Sequence, residues 1–169
     1  MSLPNLVFMG VSGCGKSTVA ALHAGATGAT LIEADDFHPS ANVEKMRSGI
    51  PLTDADRAGW LSAMAGRIAE GRGRDEAMVI TCSALKRAYR DRLRAADPDL
   101  VFIHLTGSRE LLAARIGARK GHFMPPGLLD SQLAALEPPV APDERCLTID
   151  VGPEPEVVRA AVASALAAL

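Results

Sequence analysis

The residues with the most specific chemistry form a glycine-rich loop near the start of the chain. The loop matches the pattern G-x-x-x-x-G-K-S/T and reads Gly10-Val11-Ser12-Gly13-Cys14-Gly15-Lys16-Ser17-Thr18. Its glycines let backbone N–H groups approach a phosphate chain without a Cβ in the way. Lys16 would place a positive charge on the outer phosphates, and the Ser17 hydroxyl is a ligand for Mg²⁺. The pattern therefore predicts that residues 10–18 bind the phosphates of a nucleotide.

The sequence on either side of this P-loop has the context that phosphate binding requires. The apolar run Leu6-Val7-Phe8-Met9 predicts a buried strand before the loop, and residues 16–26 predict a helix after it. The N-terminus of such a helix carries a partial positive charge that favours a bound anion. Cys14 lies inside the loop, where we expect a small side chain to be required.

Two adjacent carboxylates and an imidazole follow the second predicted strand, namely Asp35, Asp36 and His38. Ligands of open parallel sheets bind beyond the carboxyl ends of the strands, so these groups are candidate site residues. A carboxylate there can accept the proton of a substrate hydroxyl, the role predicted for Asp35, or hold Mg²⁺ through water, the role predicted for Asp36. As alternatives, aspartates cap helices and a histidine makes structural hydrogen bonds.

Basic side chains near the other strand ends are candidates for binding anions. Lys86 stands at the start of a helix after the third strand, whereas Arg92 and Arg94 fit a solvated helix face. Arg57 offers a planar fork suited to a carboxylate. After the fourth strand come two arginines that could close over a nucleotide or lie on a solvated face, Arg115 and Arg119.

The elements that must position these residues alternate between strand and helix. Nearly continuous apolar runs predict five strands, at residues 6–9, 30–33, 78–82, 100–105 and 146–151. The segments between and after them predict helices at residues 16–26, 56–70, 86–95, 108–119 and 155–166. Strands without polar alternation suit a parallel sheet that is covered on both faces. We predict an α/β fold with a five-stranded parallel sheet, forming one domain over residues 1–169.

Residues 120–143 interrupt this alternation. They contain five prolines around a short apolar pattern, with Gly121 near their start. An insertion between the last two strands predicts a lid that closes over the site, with a plain surface excursion as the alternative.

Composition narrows the class of protein. The chain has 169 residues, of which 48% are hydrophobic and 22% charged, with a net charge of −2. This balance and the 4% aromatic content disfavour nucleic-acid binding. Three widely spaced cysteines indicate neither a disulfide framework nor a zinc site. No apolar segment is long enough to span a bilayer and no signal peptide is recognised, so we expect a cytoplasmic protein without a membrane partner.

Taken together, these blocks resemble the gluconate kinases of the small P-loop type, which are related to shikimate and nucleoside-monophosphate kinases. The most specific blocks of sequence lie outside the P-loop. They are Asp35-Asp36-Phe37-His38-Pro39, Asp54 with Asp56-Arg57 and Trp60-Leu61, Cys82-Ser83-Ala84-Leu85-Lys86, Arg119-Lys120-Gly121-His122-Phe123, and Ser131-Gln132-Leu133.

The resemblance implies an ATP- and Mg²⁺-dependent transfer of phosphate to the 6-hydroxyl of D-gluconate, by a nucleoside-monophosphate-kinase-like fold with a lid, in a cytoplasmic homodimer. It places Asp35 near the acceptor hydroxyl and assigns Arg115 and Arg119 to the nucleotide and the lid. The further residues that it implies for the substrate are His38, Arg57, Ser83, Lys86, Arg90 and His122.

Two other classes remain as alternatives. Shikimate kinase or another small-metabolite kinase is the nearest, although Cys82-Ser83-Ala84-Leu85-Lys86 stands where shikimate kinases carry a glycine-rich turn. A GTPase-like switch is disfavoured because neither Asn5 nor Asn42 begins the Asn-Lys-x-Asp sequence that reads guanine. The residues alone support a P-loop phosphotransferase that acts on a small hydroxylated, anionic molecule.

Overall fold

The computed structural model describes residues 3–119 and 126–169. Its strands are β1 (Leu6–Met9), β2 (Thr30–Glu33), β3 (Met78–Thr81), β4 (Val101–Thr106) and β5 (Cys146–Asp150). Its helices are α1 (Lys16–Thr27), α2 (Ser40–Arg47), α3 (Asp54–Gly73), α4 (Arg87–Ala96), α5 (Arg109–Gly117), α6 (Pro126–Ala135) and α7 (Pro155–Ala167), with a 3₁₀ turn at Ala34–Phe37.

The five strands form one parallel sheet in the order β2-β3-β1-β4-β5. Side chains alternate between its two faces, as β1 illustrates. Leu6 and Phe8 contribute to a core under α1 and α7, whereas Val7 and Met9 contribute to a core under α3 and α4. The predicted parallel sheet with helices on both faces is confirmed.

This topology places a crevice at the centre of the sheet. β1 and β3 are neighbours, but the chain leaves β1 for α1 on one face and leaves β3 for α4 on the other. Connections that diverge in this way open a crevice beyond the carboxyl ends of the two strands. The P-loop N–H of Gly10 donates to Ser83 O at 3.3 Å, so the two loops that border the crevice are joined.

Two helices are absent from the sequence-based prediction. α2 begins at Ser40, shortly after the turn that carries Asp35 and Asp36, and α6 occupies part of the segment predicted to be an irregular lid. α6 is docked on the sheet because Leu129 is buried in the core and Leu133 packs against it. The lid prediction covers residues 120–143, of which 120–125 lie outside the described residues.

Local caps fix the helices that border the crevice. α3 begins with a capping box, in which Thr53 Oγ1 accepts from Asp56 N at 3.1 Å and Asp56 Oδ2 accepts from Thr53 N at 2.9 Å. The cap sets the first turn of α3, which carries Asp54 and Arg57. Within the described ranges, no helix is both long and apolar enough to cross a membrane.

Candidate active site

The P-loop joins β1 to α1 and adopts a conformation that depends on glycine. Gly13 has φ +83°, and a Cβ there would lie 2.8 Å from Ile116 Cγ1. Gly10 has φ +144°, and a Cβ there would lie 2.7 Å from Leu105 O. A side chain at either position would therefore clash as well as strain the backbone. The loop is a cradle of backbone groups at the N-terminus of α1, which fits the binding of a phosphate chain.

The two functional side chains of the loop lie at the crevice. Lys16 Nζ donates to Gly10 O at 2.9 Å and to Val11 O at 3.1 Å, so its ammonium lies over the loop backbone. Ser17 Oγ donates to Glu33 Oε2 at 3.1 Å. Cys14 is fully buried beneath the loop, in agreement with the expected need for a small side chain.

Glu33 is a candidate site residue that the sequence analysis missed. It is the last residue of β2, and its carboxylate accepts hydrogen bonds from the hydroxyls of Ser17 and Thr81. Only residues beyond the strand ends were predicted as acidic site residues, whereas Glu33 is the final residue of a strand and also lies at the carboxyl edge of the sheet. In the described part of the chain, no group of three or more His, Cys, Asp or Glu side chains could hold a metal ion. Ser17 and Glu33 are residues that could hold Mg²⁺, which is usually bound by one or two protein ligands together with substrate phosphates.

The 3₁₀ turn after β2 gives the two predicted aspartates different surroundings. Asp35 lines the crevice, and its side chain is 88% exposed and available to a ligand. Asp36 is exposed and does not line it. The geometry therefore favours Glu33 over Asp36 as the carboxylate nearest to Ser17.

His38 is held rigidly beside Asp35. Its ring stacks on Trp60 with 4.3 Å between centroids, and Nε2 lies 3.9 Å from Asp35 Oδ1. Trp60 is itself fixed because Nε1 donates to Ala34 O at 2.7 Å. Burial, reinforced by Arg57 and opposed by Asp35, lowers the pKa of His38. The lowered pKa favours the neutral form of His38 at pH 7, and its stacked ring forms part of the wall of the site.

A cluster of charged side chains, which includes Arg57, also lines the site. Lys86 Nζ donates to Asp54 Oδ1 at 2.9 Å, and Arg57 Nη1 donates to Tyr89 Oη at 3.3 Å. Tyr89 in turn donates to Asp54. This bond, followed by that from Lys86, lowers the pKa of Asp54. With two cations and one anion, the cluster carries an excess positive charge and suits a small carboxylate.

These groups face one cavity of about 640 Å³. Its lining brings together residues predicted for catalysis, for the substrate and for the nucleotide with its metal, namely Lys16, Ser17, Asp35, His38, Arg57, Ser83, Lys86 and Arg119. Glu33, Asp54 and Gln132 also line it. His122 lies outside the described residues.

A second cavity, of about 390 Å³, lies on the other side of the P-loop. It is bounded by Gly13, Gly15, Thr18, Arg115, Arg119 and the loop before α7. Arg115 is anchored there because Nη2 donates to Val151 O at 2.6 Å. Arg119 borders both cavities, so the two predicted nucleotide arginines flank the phosphate-binding loop.

Arg90 departs from the expectation that it contacts the substrate. It is fully buried, and its guanidinium binds Glu144 at 2.7 and 2.8 Å and donates to Ala84 O at 2.8 Å. Burial raises the pKa of the Glu144 carboxyl, but the hydrogen bonds from Arg90 and Arg94 outweigh this effect and lower the pKa to about 2. Since every described partner of Arg90 belongs to the fold, its role is to hold the loop after β3.

Comparison with known proteins identifies the family of this chain. A family model described as an AAA domain matches residues 6–139. The chain is 49% identical over 153 residues to a gluconokinase of Gluconobacter oxydans, covering 90% of this chain and 85% of that protein. It is 41% identical over 151 residues to the thermosensitive gluconokinase of Escherichia coli, covering 89% of this chain and 81% of that protein.

Among solved structures, a gluconokinase from Sinorhizobium meliloti superposes with a TM-score of 0.89 at 44% identity, covering 98% of this chain and 93% of that one. Both sequence and fold therefore agree over most of the length. This chain belongs to the gluconokinase family of P-loop kinases.

Proposed function

We propose that this protein transfers the γ-phosphoryl group of ATP to the 6-hydroxyl of D-gluconate. The observation that carries the proposal is the single cavity in which the P-loop side chains, the Asp35 carboxylate and the Arg57–Lys86 pair face one another. A phosphate chain, a hydroxyl and a carboxylate are the three groups that this lining complements. The membership of the gluconokinase family supports the same substrate.

The chain's own residues divide the work of this transfer. Asp35 is placed to accept the hydroxyl proton as the new bond to phosphorus forms and the bond to the bridging oxygen of ADP breaks. Lys16 and Arg119 are placed to neutralise charge on the phosphoryl oxygens, which is where most of the catalytic benefit in such reactions arises. Arg57 and Lys86 would hold the gluconate carboxylate and so orient the chain of hydroxyls.

The Ser17 hydroxyl and the neighbouring Glu33 carboxylate fit a Mg²⁺ site, Glu33 acting directly or through water. When bound, Mg²⁺ would reduce the charge of the phosphate chain. The proposal also includes a cytoplasmic location and a homodimer, which rest on the family resemblance. Light scattering on the purified protein tests the dimer by its mass.

Product identification tests the reaction. We expect ATP and D-gluconate to give ADP and a phosphate ester, and ³¹P–¹H coupling to place the phosphorus on the terminal CH₂ group. The Asp35→Asn variant keeps the shape of the side chain but cannot accept the proton, so kcat should fall by about 10²-fold or more with little change in ATP binding. A product esterified elsewhere, or an Asp35→Asn variant with normal kcat, would contradict these assignments.

A further inference from the structure

The structure contains a polar contact between α6 and the P-loop. Gln132 Oε1 accepts a hydrogen bond from the backbone N–H of Ser12 at 2.7 Å, across 120 residues of sequence. α6 is held in place independently of this bond. Leu129 is buried in the core, and Arg109 binds Asp130 at 2.6 and 2.9 Å. The position of Gln132 is therefore set by the helix, and its amide is aimed at the loop.

The chemistry of the contact fixes the orientation of the amide. A backbone N–H can only donate, so the atom that faces Ser12 must be the carboxamide oxygen. The Gln132 nitrogen, Nε2, then points away from that N–H and carries two donors. No described residue accepts from Nε2, and Gln132 lines the 640 Å³ cavity that also contains Lys16 and Asp35. The unused donors thus belong to a side chain that lines the cavity in which we propose that the phosphoryl group is transferred.

We propose that Gln132 is a further catalytic residue, which donates through Nε2 to an oxygen of the phosphoryl group during transfer. This inference rests on the proposed function only for the statement that gluconate is the acceptor. The transfer of a phosphoryl group is supported by the P-loop itself. Charge in such reactions spreads over the three equatorial oxygens, where a fixed neutral donor stabilises it. Gln132 neither gains nor loses a proton, since the hydroxyl proton goes to Asp35.

A simpler role is also open to the same side chain, namely to tether Ser12. Two substitutions separate the roles. Gln132→Glu keeps an oxygen that can accept from Ser12 N–H but replaces both donors with a negative oxygen. Gln132→Met keeps the length and removes both polar groups. Asp130→Asn is the matched control, because it weakens the exposed ion pair of α6 to α5 without altering the cavity.

The experiment measures three quantities for each protein: kcat with gluconate, the dissociation constant of ATP, and the slow rate of ATP hydrolysis without acceptor. We expect kcat to fall about 10- to 100-fold in both Gln132 variants, the loss expected for a hydrogen bond to a charged group. Hydrolysis should fall in parallel, and ATP binding by Gln132→Met should change by no more than about threefold. Asp130→Asn should behave as the wild type.

Other results overturn the proposal. A Gln132→Glu variant with wild-type kcat would mean that the side chain only tethers Ser12. Wild-type rates in both variants would remove Gln132 from the reaction altogether. Equal losses in Asp130→Asn would show that the docking of α6, and not the amide, is what matters. A wild type that gluconate does not stimulate would overturn the proposed acceptor, and the hydrolysis rates would still decide the role of Gln132.

Discussion

Ser17 and Glu33 form a hydrogen bond of 3.1 Å between the P-loop and the last residue of β2. The bond joins a predicted Mg²⁺ ligand to a carboxylate that sequence analysis did not select. It gives the carboxyl edge of the sheet a hydroxyl and an anion side by side, with Thr81 as a second donor to the same carboxylate. This pairing leads to the first prediction.

Glu33→Gln should raise the concentration of Mg²⁺ that gives half-maximal activity by about 10- to 100-fold, the usual effect of losing a group that supports a metal ligand. The amide keeps the size of the side chain but loses its charge. The measurement is a Mg²⁺ titration at saturating ATP and gluconate, with Asp36→Asn as the comparison. A shift in Asp36→Asn together with a normal Glu33→Gln variant would restore the original assignment to Asp36.

Arg57→Lys should raise the KM for gluconate and leave the KM for ATP unchanged. A lysine keeps the charge but lacks the fork that binds a carboxylate through two bonds, so a loss of about tenfold is expected. The exposed Arg47, which does not line the cavity, provides the control Arg47→Lys. An increase in the KM for ATP alone would contradict the assignment of Arg57 to the binding site of the acceptor.

The stability of the protein should fall in mild acid because of a buried histidine. Burial, reinforced by Arg90, lowers the pKa of His104 to about 4, whereas an unfolded histidine has about 6.5. Between these two pH values, His104 is therefore protonated in the unfolded chain and neutral in the folded one. The contribution of neutral His104 to the free energy of unfolding is complete above pH 6.5. It is lost as the pH falls toward 4, and the total loss is up to about 3 kcal/mol.

Urea unfolding at pH 7.5 and pH 5 measures this effect. The loss of unfolding free energy between the two pH values should be smaller in His104→Gln than in the wild type. His23 remains in both proteins and titrates in the same direction, since burial also lowers its pKa. An identical pH dependence in the two proteins would show that His104 is not the group responsible.

The predicted lid, residues 120–143, should exchange its amide hydrogens more slowly when an ATP analogue and gluconate are both bound. Closure would place cations over the phosphates and exclude water. Within this segment, α6 is already docked through Leu129, so its amides should be protected even without ligands. Hydrogen exchange followed by mass spectrometry measures the exchange rates with and without the two ligands. Equal protection of the whole segment with and without ligands would contradict a lid.

Local patterns account for what could be predicted from sequence. The P-loop and the five strands follow from a short motif and from apolar runs, whereas some residues of the cavity lining, Ser83 among them, came only from the family resemblance. α6 was missed because the prolines in and around it and its short apolar pattern resemble a loop, and the helix is stabilised by burying Leu129 in the core. Glu33 was missed because acidic residues were sought only beyond the strands.

Arg90 shows the limit of reasoning from a family resemblance. The resemblance to gluconate kinases implied that Arg90 contacts the substrate. The anion that it binds is instead Glu144, 54 residues away along the chain. No local pattern shows such a partner, because the pairing exists only once α4 and the segment before β5 pack together. Buried ion pairs of this kind are distinguished from binding sites by burial, which sequence does not give.

The most direct test of the central claim is the initial rate of ADP formation with a panel of acceptors. The panel contains D-gluconate, shikimate, a neutral sugar, nucleoside monophosphates and buffer alone, with the Lys16→Ala variant as the blank. We expect gluconate to give the highest kcat/KM, and Lys16→Ala to lose about 10²- to 10³-fold of the activity because the ammonium stabilises the transferring group. A higher kcat/KM with shikimate or a nucleotide, or a Lys16→Ala variant that retains its activity, would contradict the account.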